Sequence, residues 1–148
     1  MQNDITIIDY GMGNLRSVEK SFMRVGANVI ISDDPLQIQA ATKLVLPGVG
    51  HYGTGVQRLK NKGLWDILND VVLIKQVPIL GICLGMQLMT RHSDEGDTKG
   101  FGWIKANAVQ FSVADKLRYK IPHIGWNSIS HNCTSSLLED VPDGAMFY

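Results

Sequence analysis

The chain has 148 residues, enough for one domain with a hydrophobic core, and its 14 basic and 14 acidic residues balance. This balance argues against a nucleic-acid or membrane-surface protein, and the apolar runs are too short to cross a bilayer. Two cysteines exclude a disulfide framework, and four histidines show no metal-site spacing, so we expect neither metal nor cofactor. We expect a cytoplasmic location, because no secretory signal opens the sequence and free thiols persist in a reducing compartment.

Short apolar runs alternate with helical patterns over the first ninety residues, which is typical of βαβ units and a parallel sheet. Strands are predicted at residues 5–9, 29–31, 44–46 and 78–82, and continuous apolarity predicts that the last is buried on both faces. Helices are predicted after an Asn14 cap, and at about 55–60, 65–74 and 86–91. The second strand should end in a turn at Asp33-Asp34-Pro35.

The pattern changes after Ser93. Residues 93–100 read as a loop, and short strands and turns are predicted around 103–104, 108–111 and 124–129. The basic stretch 116–120 is interpreted as a solvated loop in preference to an anion site. Residues 145–148 resemble the start of a buried strand, so we expect one domain over 1–148 that is incomplete at its C-terminus.

Gly81-Ile82-Cys83-Leu84-Gly85 carries the strongest chemical signal, because it joins an apolar strand to a helix. A nucleophile on such a sharp turn needs glycine two residues before and after it, where side chains would clash. The turn would place the sulfur at the carboxyl end of the sheet and at a helix N-terminus, which favours a thiolate. The competing interpretation is a buried structural cysteine.

Two glycine-containing segments follow the other predicted strands. Pro47-Gly48-Val49-Gly50 should end at the same sheet edge as Cys83, where its backbone N–H groups could complete an oxyanion hole with that of Leu84. Tyr10-Gly11-Met12-Gly13-Asn14 could bind an anion, but it lacks the third glycine of a dinucleotide-binding motif.

Several segments together resemble one family, the glutamine-hydrolysing subunits of imidazole glycerol phosphate synthase, which are class I glutamine amidotransferases. The resemblance covers essentially the whole chain. Its motifs are Asp9 to Val18, Leu46 to Gly50, Gly81 to Gln87, Glu95-Gly96, Lys99 to Gly102 and Pro122 to Asn127. It implies an α/β fold with a mostly parallel, flavodoxin-like central sheet flanked by helices, and antiparallel strands in the C-terminal part.

The resemblance also implies roles for matching positions. Cys83 would attack the side-chain amide of glutamine; Leu84, Val49 and Gly50 would form the oxyanion hole. Gln87, Glu95 and Gly48 would bind the substrate. Ammonia would pass to a (βα)₈-barrel cyclase subunit in a heterodimer of histidine biosynthesis. Residues implied at that partner interface are Tyr10, Asn14, His123, Trp126 and Asn127, although ordinary core is an equal alternative for Trp126.

The chain departs from the family pattern in one respect. The family's base is a histidine followed two residues later by glutamate, and no such His-x-Glu occurs here. Because the base activates the thiol and protonates the leaving ammonia, we expect the 148-residue form to turn over glutamine poorly. Neither His51 nor His123 is a convincing substitute, and Cys133 carries no motif.

Two alternatives stay open. A paralogous amidotransferase would keep the hydrolysis but supply ammonia for amidino sugars of surface polysaccharides, an option that Phe101, where leucine is expected, does not exclude. A catalytically inactive binding domain with the same fold is the other alternative, and the intact Cys83 motif argues against it.

Overall fold

A computed structural model of the chain describes residues 5–115, 118–130 and 135–148. Contacts between residues divide it into two compact units, one ending at Gln110 and the other Phe111–Tyr148. His131, Cys133 and the first two residues of the basic stretch 116–120 lie outside the described residues. No helix in the described ranges is long and apolar enough to cross a membrane.

The first unit is built on a four-stranded parallel sheet with the strand order β2-β1-β3-β4. Its strands are β1 (Ile5–Ile8), β2 (Val29–Ser32), β3 (Lys43–Gly48) and β4 (Ile79–Cys83). Its helices are α1 (Leu15–Arg24), α2 (Pro35–Ala40), α3 (Tyr52–Asn61), α4 (Leu64–Asn69) and α5 (Leu84–Leu88). The predicted α/β class with a parallel central sheet is therefore confirmed.

The predicted start of α1 is confirmed, whereas α2 was missed. Asn14 Oδ1 accepts a hydrogen bond from Ser17 N–H at 3.3 Å and caps α1. The expected turn at Asp33-Asp34-Pro35 instead opens a helix, because Asp34 Oδ1 accepts from Leu36 N–H and Pro35 occupies the first helical position.

The predicted helix 65–74 is two segments, since α4 continues as a π-helical turn over Asp70–Ile74. Leu64, Leu68 and Val71 face the core. The predicted burial of β4 on both faces is wrong, because β4 is an edge strand of the described sheet and Leu80 is 36% exposed.

The helix after Cys83, α5, begins at Leu84 and ends at Leu88, whereas a helix over about 86–91 was predicted. Thr90 Oγ1 donates to Gln87 O at 2.7 Å and Phe101 N–H donates to Leu88 O at 2.9 Å, so the carbonyls at the end of α5 are satisfied outside the helix. A second sheet then follows, with the order β6-β5-β7: β5 (Thr90–Ser93), β6 (Thr98–Lys99) and β7 (Ile104–Ala108). β5 pairs with β6 antiparallel and with β7 in parallel, and β7 stops at Ala108 instead of starting there.

In the second unit, β8 (Asn127–Ser128) and β9 (Met146–Phe147) pair in an antiparallel ladder, and a 3₁₀ turn at Ser136–Leu138 lies between them in the chain. The strand predicted at 124–129 is therefore reduced to two residues. The expected burial at 145–148 is wrong, because Met146, Phe147 and Tyr148 are all exposed at this small ladder.

Candidate active site

Cys83 lies on the sharp turn that its glycines predicted. Its φ of +53° and ψ of −117° are strained for a residue with a side chain, and its side chain is exposed, so the interpretation as a buried structural cysteine is wrong. A Cβ on Gly81 would come within 2.5 Å of Met86 Cα, and one on Gly85 would overlap the carbonyl oxygen of Leu46. Both glycines are therefore required by backbone contact across the turn.

The end of β3 stands beside this turn. Gly48 pairs with Cys83 in the parallel register, so the Pro47–Gly50 segment and the sulfur share the carboxyl edge of the sheet. Gly50 has a φ of +104°, a conformation that favours glycine. The sequence predicted this shared edge because each segment directly follows a strand of the parallel sheet, and the pairing of β3 with β4 agrees with it.

A pocket of about 460 Å³ opens at Cys83. Of the predicted catalytic, oxyanion and substrate residues, five line it: Gly50, Cys83, Leu84, Gln87 and Glu95. Gly48 and Val49 are adjacent in sequence but are not among the lining residues. The pocket is completed by residues that sequence reasoning missed: Ser93, Asp94, Ala108, Val109 and Gln110. Residues 108–110 fall in a stretch that was predicted only as a short strand or turn, and Ser93 and Asp94 fall in a predicted loop to which no role was given.

Glu95 is held in place by one hydrogen bond to its carboxylate and another from its own N–H. Its Oε2 accepts from Tyr52 N–H at 2.7 Å, at the first residue of α3, and its own N–H donates to Ser93 Oγ at 3.1 Å. A carboxylate at a helix N-terminus is stabilised by the unpaired N–H groups there. Glu95 therefore links the wall of the pocket to the helix that follows Gly50.

His51, in the same region, caps a helix. It is the N-cap of α3, and its Nδ1 accepts from Gly53 N–H at 3.1 Å. A Cβ on Gly96 would come within 2.9 Å of His51 Cε1, so the ring also packs against the turn after Glu95. This capping bond agrees with the view that His51 does not replace the family's base.

The residues predicted at a partner interface differ in exposure. Tyr10 is fully buried, so its prediction as a surface contact is wrong: the residue after β1 points into the core. Asn14 is exposed but uses its side chain to cap α1. In the second unit His123 and Asn127 are exposed, and Trp126 is 68% exposed with Tyr148 edge-on at 5.7 Å, which excludes the core alternative for Trp126 in this structure.

Among the described residues, no group of three or more His, Cys, Asp or Glu side chains is arranged to hold a metal ion. The pocket offers an exposed thiol, backbone N–H groups, the side-chain amides of Gln87 and Gln110, the Ser93 hydroxyl and the carboxylates of Asp94 and Glu95. This set suits attack on a carbonyl carbon with charge developing on its oxygen.

Comparisons with known proteins identify relatives. Residues 6–146 match the family described as glutamine amidotransferase class-I. Imidazole glycerol phosphate synthase subunit HisH 2 of Methanococcus maripaludis is 46% identical, and the match covers 97% of this chain and 70% of the relative. The subunits of the same description, HisH 2 of Pseudomonas aeruginosa and HisH 1 of Methanococcus maripaludis, are 42% and 40% identical with the same coverage.

The similarity of this chain to a solved structure supports the fold only. A crystal structure of a glutamine amidotransferase is similar to this chain with a TM-score of 0.62 and 16% sequence identity. The similarity covers 70% of this chain, which spans 55% of that structure's chain.

Proposed function

The chain belongs to the glutamine amidotransferase class-I family, and from that premise we propose that it is the glutaminase subunit of an imidazole glycerol phosphate synthase. The Cys83 thiolate attacks the side-chain amide carbon of glutamine, and the C–N bond breaks after the nitrogen receives a proton from water. Because residues 1–148 contain no His-x-Glu base to supply that proton, we expect this step to be slow in the chain by itself. Ammonia leaves, and water then cleaves the Cys83 thioester to give glutamate and a free thiol.

One observation carries this proposal: an exposed cysteine at positive φ stands in register with Gly48, at the mouth of a pocket that also contains Gln87 and Glu95. The first step places negative charge on the amide oxygen. We assign its stabilisation to the N–H of Leu84 and to one from Val49–Gly50; removing such a donor typically lowers the rate about a hundred- to a thousandfold.

The substrate roles follow from the pocket's chemistry. A pocket of about 460 Å³ holds an amino acid the size of glutamine. The carboxylate of Glu95, anchored through one oxygen on Tyr52 N–H, is suited to the substrate's ammonium group. Gln87 can bond the substrate's polar groups through its side-chain amide, and the backbone at Gly48 would border the same substrate.

We also propose a heterodimer with a (βα)₈-barrel cyclase subunit that consumes the ammonia in histidine biosynthesis. The names of the relatives identify them as synthase subunits. The exposed Trp126, with His123 and Asn127 nearby in sequence, has the amphipathic character of an interface anchor. We place the complex in the cytoplasm, where an exposed catalytic thiol such as Cys83 stays reduced.

The sequence identities to two relatives from one organism support a second candidate function. Methanococcus maripaludis has two subunits of this description, and this chain is 46% identical to the second and 40% identical to the first. A paralogue that delivers ammonia for amidino-sugar synthesis would retain every feature of the Cys83 pocket. Co-purification separates the two candidates, because each requires a different barrel subunit as its stable partner.

The proposed chemistry is tested by labelling with 6-diazo-5-oxo-norleucine, a glutamine analogue with an electrophilic carbon. We expect the adduct on Cys83 to form far faster than on Cys133, and excess glutamine to slow it. The matched variants are Cys83→Ser, which should abolish the adduct, and Cys133→Ser, which should not. Labelling of both cysteines at equal rates, unaffected by glutamine, would instead support a non-catalytic binding domain.

A further inference from the structure

Two adjacent acidic residues line the Cys83 pocket, and the proposed chemistry uses only one of them. Glu95 is assigned to the substrate's ammonium group, whereas Asp94 lines the same pocket without a role. Neighbouring negative charges repel each other, so a second carboxylate at this place is unfavourable unless it serves the pocket. The position of Asp94 and the charges around it indicate what that service is.

No cationic side chain in the described part of the pocket offsets these two charges. Of the described residues that line it, none is Lys, Arg or His. Neither Asp94 nor Glu95 forms an ion pair with another described residue, whereas Asp97, on the same turn, pairs with His92 at 2.7 Å. The wall beside Cys83 is therefore negative before any substrate binds.

Backbone hydrogen bonds fix Asp94 at this wall. Its N–H donates to Ala108 O at 3.1 Å, and its carbonyl oxygen accepts from Asp97 N–H at 3.4 Å. The N–H of Glu95 donates to Oγ of the buried Ser93 at 3.1 Å. Ser93 and Ala108 also line the pocket, so Asp94 is attached on both sides to residues of the same wall.

The proposed reaction converts a neutral compound into an anion of nearly the same shape. Glutamine carries one ammonium group and one carboxylate, and its hydrolysis replaces the side-chain amide with a second carboxylate. The amide and the carboxylate are both planar and similar in size, so packing cannot distinguish them, whereas charge can. A negative wall repels the additional charge of glutamate and acts weakly on glutamine, whose two charges cancel.

We propose that Asp94 is a specificity-determining residue, whose charge lets the pocket bind glutamine while it disfavours glutamate. The inference rests on the proposed function, because it takes the pocket to hold glutamine. Glu95 contributes less to this selectivity, since the ammonium group that it attracts is present in both compounds. Asp94 takes no proton and forms no bond in the reaction; its charge promotes the departure of the product.

The test measures how well glutamine and glutamate each protect Cys83 from alkylation by iodoacetamide, in the wild-type chain and in Asp94→Asn. Peptide mass spectrometry counts Cys83 separately from Cys133. The readout is the half-protecting concentration of glutamate divided by that of glutamine. We expect this ratio to fall about three- to tenfold in Asp94→Asn, because glutamate binds more tightly. The effect is modest because Asp94 is exposed and solvent screens its charge.

Asp97→Asn is the matched control. It removes the same charge from the same turn, but Asp97 has a side chain that is 97% exposed and is not among the pocket-lining residues. Asparagine also suits its φ of +46°, so the ratio should equal that of the wild-type chain. Asp94→Glu keeps the charge at the wall and should keep the ratio as well.

An unchanged ratio in Asp94→Asn, or an equal fall in Asp97→Asn, overturns the proposal. So does a change confined to glutamine in Asp94→Asn, which would assign Asp94 to the substrate ammonium instead. The wild-type chain offers a measurement that needs no variant: raising NaCl from about 0.05 M to about 0.5 M should lower the ratio, because salt screens the repulsion. A ratio that does not respond to salt would contradict the role of charge.

Failure of the proposed function gives a different result. In that case glutamine itself would not protect Cys83 in the wild-type chain, at any salt concentration. Protection by glutamine together with an unaltered ratio in Asp94→Asn would leave the glutaminase proposal intact and reject only the role of Asp94.

Discussion

Gly48 and Cys83 face each other at the last register position of β3 and β4. Parallel strands end at a common edge, so this pairing brings the Pro47–Gly50 segment beside the sulfur without any contribution from a flexible loop. Gly48 leaves room for the Tyr10 hydroxyl under the turn, and the turn lifts Cys83 to an exposed position at φ +53°.

Gly85→Ala should destabilise the first unit by about 2–3 kcal/mol, because the new methyl group would overlap the carbonyl oxygen of Leu46 in β3. Cys83 labelling by the glutamine analogue should slow in parallel as the turn shifts. Urea unfolding and labelling rates are the measurements. Gly26→Ala is the control: nothing lies within 4 Å of its Cβ, so its positive φ alone should give a loss of about 1 kcal/mol. Equal losses would show that contact with Leu46 is not the cause.

Two substitutions at Glu95 should separate its structural and chemical roles. Glu95→Gln keeps an oxygen for Tyr52 N–H but removes the charge, so stability should change little while analogue labelling at limiting concentration falls about tenfold. Glu95→Ala also removes the acceptor at the start of α3 and should lower stability by about 1 kcal/mol. Identical labelling of Glu95→Gln and the wild-type chain would contradict the assignment of Glu95 to the substrate ammonium.

Phe101→Leu should lower stability by about 1–3 kcal/mol and leave Cys83 labelling unchanged. Phe101 is stacked between Trp65 and Trp103, with ring centroids 3.9 and 4.0 Å away, and leucine cannot replace the two aromatic contacts. Phe111→Leu, at a residue that is 68% exposed, is the matched control and should stay within about 0.5 kcal/mol. A smaller loss at Phe101 than at Phe111 would show that the stacked rings contribute nothing beyond surface packing.

Asp33→Asn should make the free energy of unfolding depend slightly less on pH in the acid range. The hydrogen bond from Lys62 Nζ at 2.8 Å, followed by its charge, holds the pKa of Asp33 below its ordinary value of 3.8. A lowered folded-state pKa adds stability above the ordinary value, and this contribution disappears as the pH falls through the folded value. Asp33 is well exposed, so the effect should be small.

The measurement for Asp33 is the urea midpoint at pH 6 and at pH 2.5, for the wild-type chain and for Asp33→Asn. The variant should be less stable at pH 6, and the difference between the two should be smaller at pH 2.5. On a Lys62→Met background, which removes the partner, Asp33→Asn should have no such pH-dependent effect. A constant difference at both pH values would rule out the ion pair as its source.

The sequence alone determined the features that arise from short stretches of chain. These features are the Asn14 cap, the four parallel strands and the glycine-flanked turn at Cys83. They follow from local hydrogen bonding, side-chain branching and steric clash, all of which depend on residues close together in the sequence. The same local signals missed α2, since Asp34-Pro35 starts either a turn or a helix.

Only the tertiary structure decided features that depend on residues far apart in the sequence. The burial of Tyr10, the early end of α5 at Phe101 N–H, the edge position of β4 and the pocket wall at 108–110 all arise from contacts across the fold. The sequence of an apolar strand does not show whether that strand lies at the edge of a sheet or at its centre. Which groups lose water is set by the packing of the whole unit, and that packing has no local signature.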